Sequence, residues 1–395
     1  MIFPPVKTLN NRTGNNRTGS RGFSLVELMV AIVIGLILLA GVSSVMVSTK
    51  RTYNTQDSLG RLQENARIAM VLLERALRNS GYIGCNINPA NITNVVDQSA
   101  DAYSFNLGTL LEGSESGSAW YPSGATLANT LKDSSGNPIT PRAGTDLINI
   151  RGAESDGTLE LQGKMNKQSA SLKVVSPSGI ADGEIVILSD CSSTDIFQAT
   201  GMNTGGGFDN ILHNTGSSTP GNVKLDNGAK LSKNYGTDAK LMSFKSTIYY
   251  IGTGKSGEPA LFRRRITASG SFTTEELVEG IENLQVLYGE DTNGDRIADV
   301  YRKADTVSNW DNVVTVRFGI IARALANLNS DRRTSNKVED AKALDIDGDG
   351  VDDFTGTETT TTTSDTGVTL KDRLYDRRMF RTTVLLRNFV NKEGS

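Results

Sequence analysis

Apolar residues are distributed along the chain in three regimes. From Leu28 to Thr49 a run of 22 residues carries no charge, and Lys50 and Arg51 close it. As a helix that run spans about 33 Å, enough to cross a hydrocarbon core of about 30 Å. Past Arg51 the pattern turns amphipathic. Leu59, Leu62, Ala66, Ala69, Leu73 and Ala76 recur at spacings of three and four, while Arg61, Glu64, Arg67, Glu74, Arg75 and Arg78 fall on the opposite face. No proline interrupts Phe23 to Asn88. The pattern therefore predicts one long helix, apolar first and amphipathic second, stopping at Asn79-Ser80-Gly81. Gly60 is its weak point, costing about 1 kcal/mol relative to alanine and permitting a bend.

From Gly84 onward the helical period fades and short apolar runs lie between turn signals. Asp146–Arg151, Leu159–Leu161, Ser171–Val175, Glu184–Leu188, Ser246–Ile251, Leu261–Ile266, Val313–Ile321 and Met379–Leu386 read as strands. Glu276–Tyr288 fits either a helical turn or a strand, and Gly201–Gly221 and Thr357–Thr366 read as long loops. The expected fold is α+β: a long N-terminal helix packed on a mainly antiparallel sheet with long loops.

Composition sharpens this picture. In 395 residues aromatic content is 6% and there are 40 glycines, which suits a loop-rich β domain better than a helical bundle. Residues 1–22 hold a tandem Asn-Asn-Arg-Thr-Gly repeat and four basic residues, Lys7, Arg12, Arg17 and Arg21, and read as a removable leader. Losing them takes the formal charge from −3 to −7. A chain so charged is a poor non-specific nucleic-acid binder, because that binding needs basic surface to release counterions.

One acid stands inside the apolar run. A carboxylate at a bilayer centre costs about 3 kcal/mol on insertion scales, so Glu27 calls for a partner or for snorkelling to the interface. Gly22-Phe23-Ser24-Leu25-Val26-Glu27 resembles the type IV prepilin processing motif. The resemblance implies cleavage after Gly22 by a prepilin peptidase, methylation of the new N-terminal Phe23, and an assembly role for Glu27. In a fibre, that role is to neutralise a neighbouring subunit's terminal ammonium. An uncleaved signal anchor is the plainer alternative. Further on, Glu279–Gly289, Asp291–Asp299 and Arg378–Asn388 are similar to segments of the PilW minor pilins. That family is implied to prime pilus assembly with other minor pilins, at or near the fibre tip beside an adhesin, with the major pilin and prepilin peptidase as further partners. The implied organisation is a leader (1–22), a transmembrane half-helix (23–50), an amphipathic half-helix (51–80) and a mainly β domain (81–395). The implied location is single-pass in the inner membrane with that domain in the periplasm, then the fibre at the cell surface. Rival readings are a minor pseudopilin of a type II secretion system and a signal-anchored periplasmic hydrolase.

A periplasmic domain permits disulfides. Cys85 and Cys191, the two cysteines, are expected to pair, closing a loop of about 100 residues worth about 4–5 kcal/mol on the chain-entropy model; two buried free thiols are the alternative. No cofactor is required by the pattern, but calcium is a candidate at two acidic loops. In the first, Asp345, Asp347, Asp349, Val351 and Asp353 take positions one, three, five, seven and nine of a calcium loop, with Gly350 at the sharp turn and Gly356 where a bidentate acid is expected. The weaker loop offers Asp291, Asn293, Asp295 and Asp299, with Arg296 where the glycine belongs. Plain Asx-turns that bind nothing explain the first loop as well as calcium does and the second better. The lone histidine, His213, sits in a Gly/Ser/Thr-rich stretch and is expected to be exposed and inert. No nucleophile elbow or phosphate loop is marked, so no enzyme is expected. In Arg263-Arg264-Arg265, strand alternation sends the outer two to one face and Arg264 to the other.

Overall fold

A computed structural model gives the fold. It describes residues 23–86, 88–98, 109–115, 141–153, 158–216, 219–228, 230–267, 272–325, 345, 348–350 and 376–389. The leader with Gly22, and the Thr357–Thr366 stretch, lie outside them.

Helix α1 runs from Leu25 to Arg78 without a break at Gly60. Its first turn is capped by Ser24, whose Oγ accepts the Glu27 N–H at 3.1 Å. That is the Ser-x-x-Glu pattern of a capping box, with Glu27 in the turn where the helix dipole favours an acid. At the other end Gly81 adopts φ +73°, and the Leu77 carbonyl accepts both the N–H and the hydroxyl of Ser80. The predicted stop is thus a left-handed glycine cap.

The chain divides into two compact units, one ending at Gln56 and one running from Asp57. In the first, the apolar side chains from Phe23 to Val47 are exposed. Among the described residues, α1 is the one helix long and apolar enough to cross a bilayer. In the second unit the helix face changes character, burying Ser58, Leu62, Ala66, Ala69, Leu73 and Leu77. Leu77 replaces the expected Ala76, and Leu59 is only half-buried.

Among the described residues sixteen strands follow: β1 Ile92–Asn94, β2 Leu111–Ser114, β3 Leu147–Ala153, β4 Leu159–Glu160, β5 Leu172–Val175, β6 Ile185–Ser189, β7 Thr194–Gln198 and β8 Gly201–Gly205, then β9 Phe208–Leu212, β10 Lys240–Thr253, β11 Pro259–Ile266, β12 Phe272–Glu279, β13 Ile281–Glu290, β14 Val300–Arg302, β15 Val313–Arg323 and β16 Arg377–Leu385. All pair antiparallel except β1 with β7. They form a large sheet built on β10, a four-stranded sheet ordered β14-β13-β15-β16, and a three-stranded sheet ordered β5-β9-β8.

Two sequence expectations change here. The ambiguous Glu276–Tyr288 stretch is two strands broken at Gly280, whose φ of +82° excludes a side chain without strain. A Cβ there would also lie 3.0 Å from the Arg323 carbonyl. Gly201–Gly221 is not an open loop in its first half but the β8–β9 hairpin, turned by Gly206 and Gly207 at φ +63° and +78°.

The main core lies between α1 and the four-stranded sheet. Leu62, Ala66, Ala69, Leu73 and Leu77 share one cluster with Leu284, Val286 and Tyr288 of β13, Val316, Phe318 and Ile320 of β15, and Val384 of β16. Alternation along each strand puts these residues on one face. A second cluster, including Leu161, Leu172, Phe197, Ile211, Leu231 and Leu241, forms a separate core for the stretch between β4 and β10.

All ten residues of β13 are buried, so its polar groups need protein partners. The Val286 N–H donates to Asp146 Oδ2 at 2.8 Å, and the Asp146 N–H donates to the Leu284 carbonyl at 2.9 Å. Asp146 directly precedes β3, so it joins the four-stranded sheet to the large one. The buried Glu282 carboxylate meets Arg377 at 2.6 Å, Arg142 at 3.3 Å and Arg323 at 3.4 Å. Burial lowers the Arg142 pKa, offset in part by Glu282. Glu290 is likewise buried and held by Arg302 at 2.9 Å.

Leu73 is completely buried against this wall, whereas Val71 on the same helix is 53% exposed. Leu73→Ala is expected to lower the free energy of unfolding by about 2–5 kcal/mol. Val71→Ala should change it by less than about 1 kcal/mol. Denaturant titration of the detergent-solubilised protein checks both; equal effects would mean that the buried stripe is misassigned.

Candidate functional site

Three groups of residues carry the expectations drawn from the sequence, and each has its own surroundings. At the start of α1, Phe23 is 82% exposed and Glu27 is exposed two residues into the helix. Ser24 Oγ satisfies the Glu27 backbone N–H, leaving the carboxylate outside that bond. An exposed acid four residues from an exposed aromatic side chain on an apolar helix is geometrically able to meet a cation from another chain. Sequence reading noted Glu27 for its charge and missed Ser24, although the Ser-x-x-Glu spacing signals the cap.

The second group is the acidic loops. The 291–299 loop is described in full and closes on its own side chains. Asp291 Oδ1 accepts the Asn293 and Gly294 N–H groups at 3.1 and 2.6 Å, and its Oδ2 accepts the Arg296 N–H at 2.8 Å. Burial alone would raise the Asp291 pKa, but these bonds stabilise the ionised form and bring it below its ordinary value. Asp299 accepts from the Thr292 N–H and hydroxyl at 2.8 and 2.7 Å and from Asn293 Nδ2 at 3.1 Å. Arg296 does take the left-handed conformation, with φ +69°. A non-glycine residue there costs about 1–2 kcal/mol, offset by the bond from its N–H to Asp291.

Of the other loop, Asp347, Val351 and Asp353 lie outside the described residues. Gly350 has the expected positive φ, +93°, and its N–H donates to Asp345 Oδ2 at 3.1 Å. Cations of the protein surround what is described: Arg381 is 4.0 Å from Asp345, Lys303 is 3.6 Å from Asp349, and Arg317 donates to the Gly348 carbonyl at 3.3 Å. Among the described residues, no three His, Cys, Asp or Glu side chains converge to hold a metal ion. The calcium expectation rests on residue spacing alone.

The third group is the cysteine pair. Cys85 and Cys191 form a disulfide with a Cα–Cα distance of 4.7 Å. It ties the segment leaving α1 to the turn between β6 and β7.

His213 contradicts its expectation. It is 4% exposed, stands edge-on to Phe197 at 5.5 Å between ring centroids, and lies with Nε2 2.8 Å from the Ala170 carbonyl. Formation of β9 pulls it inward, a tertiary effect that its polar neighbours in sequence conceal. Burial lowers its pKa, with the Lys230 charge adding to that effect. Alternation does hold at the arginine run: Arg263 and Arg265 share Glu275, while Arg264 is buried with its guanidinium 3.6 Å from the Phe272 ring centre.

Comparison with known families agrees with both ends of the chain. Residues 248–388 match the family described as type IV pilus-assembly protein W, and residues 17–43 match the prokaryotic N-terminal methylation motif. No curated protein matches. The two matched stretches cover less than half of the chain. The chain is PilW-like: a pilin-like protein related to the type IV pilus, with a prepilin methylation motif at its start.

The buried His213 gives a pH dependence with a definite sign. Its folded pKa lies below the unfolded value, so the folded state favours the neutral ring. Its contribution is complete above the unfolded pKa of about 6.5 and is lost as pH falls toward the folded pKa. Unfolding free energies measured between about pH 5 and 8 should therefore drop more steeply on acidification in the wild type than in His213→Gln. Because this is the one histidine, the difference isolates it; parallel profiles would show that its burial is uncoupled from stability.

Proposed function

We propose that the protein is a minor pilin that helps prime type IV pilus assembly and sits at or near the fibre tip. The observation that supports this reading best joins the two matched regions. The segment matching the assembly family includes β13, β15 and β16, and these are the strands that bury the stripe of α1 from Leu62 to Leu77. The methylation motif stands at the start of the same helix.

In this reading the prepilin peptidase cuts after Gly22 and Phe23 becomes the methylated terminus. The apolar half of α1 holds the subunit in the inner membrane, with the β domain in the periplasm, until it enters the fibre. Its partners are other minor pilins, the major pilin and a tip adhesin. Glu27 pairs with the terminal ammonium of a neighbour, an arrangement that relieves the burial cost of both charges in an apolar bundle. The role is structural and no catalysis is assigned. A minor pseudopilin of a type II secretion system would share the helix and the processing. The match to a pilus-assembly family favours the pilus.

Glu27→Ala separates assembly from insertion. The variant loses a charge that opposes burial in lipid, so membrane insertion should be unchanged or improved. Its incorporation into sheared surface fibres, read by immunoblot against the wild type, should fall, together with cross-links to neighbouring subunits. Wild-type incorporation and cross-linking would refute the charge pair.

A further inference from the structure

Both halves of the Cys85–Cys191 disulfide are exposed, yet the segments it joins are held by other bonds. The Asn86 side-chain amide donates to Thr194 Oγ1 at 3.0 Å, and Ser189 Oγ lies 2.8 Å from the same hydroxyl. Beyond it, β1 pairs with β7 from Ile92↔Thr194 to Asn94↔Ile196, and the Val95 N–H donates to the Ile196 carbonyl at 2.8 Å. On the other side the Asp190 carboxylate caps its turn through the Ser192 and Ser193 N–H groups, each at 2.9 Å, and meets Lys233 at 2.6 Å. Upstream, the Gly81 N–H donates to the Arg151 carbonyl at 2.9 Å, and Asn388 Nδ2 donates to the Ser80 carbonyl at 2.8 Å. The helix exit is therefore anchored from several strands without the covalent link.

We propose that this disulfide is a site of thiol–disulfide exchange in the folded protein, open to an external dithiol such as the reduced form of a thiol–disulfide oxidoreductase. One thiolate of the dithiol attacks a sulfur of the pair, and the other cysteine leaves as a thiolate and takes up a proton. The second thiol of the reagent then attacks the mixed disulfide and frees the remaining cysteine. Two electrons pass to the protein pair, and the dithiol departs as a disulfide. Exposure sets the rate of the first attack, and the surrounding hydrogen bonds keep the fold after it. The consequence is a latch between the helix exit and the β6–β7 turn that opens without global unfolding. This does not depend on where the subunit assembles.

The test uses full-length protein in detergent micelles, dithiothreitol as the dithiol, and alkylation followed by mass measurement. Both cysteines should become alkylated without denaturant, at a rate proportional to dithiol concentration. Hydrogen exchange should then rise only beside the two sulfurs, at Cys85 and Cys191 and their immediate neighbours, while strands β1, β7 and β13 and Leu62–Leu77 of α1 stay protected. A rate independent of dithiol concentration, set by unfolding, would overturn the proposal. Loss of protection throughout α1 and β13 on reduction would overturn it equally.

Discussion

Burial of one stripe of α1 against the inner face of the four-stranded sheet is the interaction on which the rest of the β domain depends. Leu62, Ala66, Ala69, Leu73 and Leu77 meet strands whose residues lie more than two hundred positions away. The two alanines set the depth of the approach, since a small side chain allows close packing of helix on sheet. At the corner after β12, Asn65 Nδ2 donates to the Glu279 carbonyl at 3.0 Å, fixing the helix along the sheet. The same helix begins in a stretch with no protein cover. One continuous element thus meets two different solvent requirements, apolar on all sides at first and amphipathic later.

Close packing forces the chemistry of β13. A strand buried along its whole length has no water for its polar groups, so each must be answered from the protein. Asp146 answers an open stretch of its edge, three arginines answer Glu282, and Arg302 with Ser308 and Asn309 answers Glu290. Elsewhere Arg151 and Glu112 form a buried pair at 2.8 Å, with Arg151 also donating to the Thr109 carbonyl at 2.6 Å. Replacing one partner of such a pair strands the other without water, at a cost of about 3–5 kcal/mol. These polar ties specify which strand lies beside which, where apolar contact alone would permit slippage.

The helix was legible because its signals are local and repeated: twenty-two uncharged residues, a period near 3.6, and a Ser-Gly stop. Strands rich in branched residues, such as Glu184–Leu188 and Val313–Ile321, were legible for the same reason. The strand β8, Gly-Met-Asn-Thr-Gly, was not, because its propensity is that of a loop and pairing with β9 overrides it. Gly280 concealed a strand break inside a hydrophobic run. His213 was misjudged because its burial comes from contacts with Phe197 and Ala170, distant in sequence. At the candidate site, Glu27 and the cysteine pair stood out by chemistry, since an acid in an apolar run and a chain with two cysteines in all are conspicuous. Asp-rich loops are less informative: the same spacing that suits a cation also builds the closed hydrogen-bond ring around Asp291.

Everything proposed for assembly requires that α1 be released at Phe23 and carried as a mature N-terminus. The most direct measurement is mass spectrometry of the N-terminal peptide of the protein purified from membranes of cells with an active prepilin peptidase. The account predicts a chain that begins at Phe23 and carries one N-terminal methyl group. A chain that still begins at Met1 in such cells would contradict it and favour an uncleaved anchor.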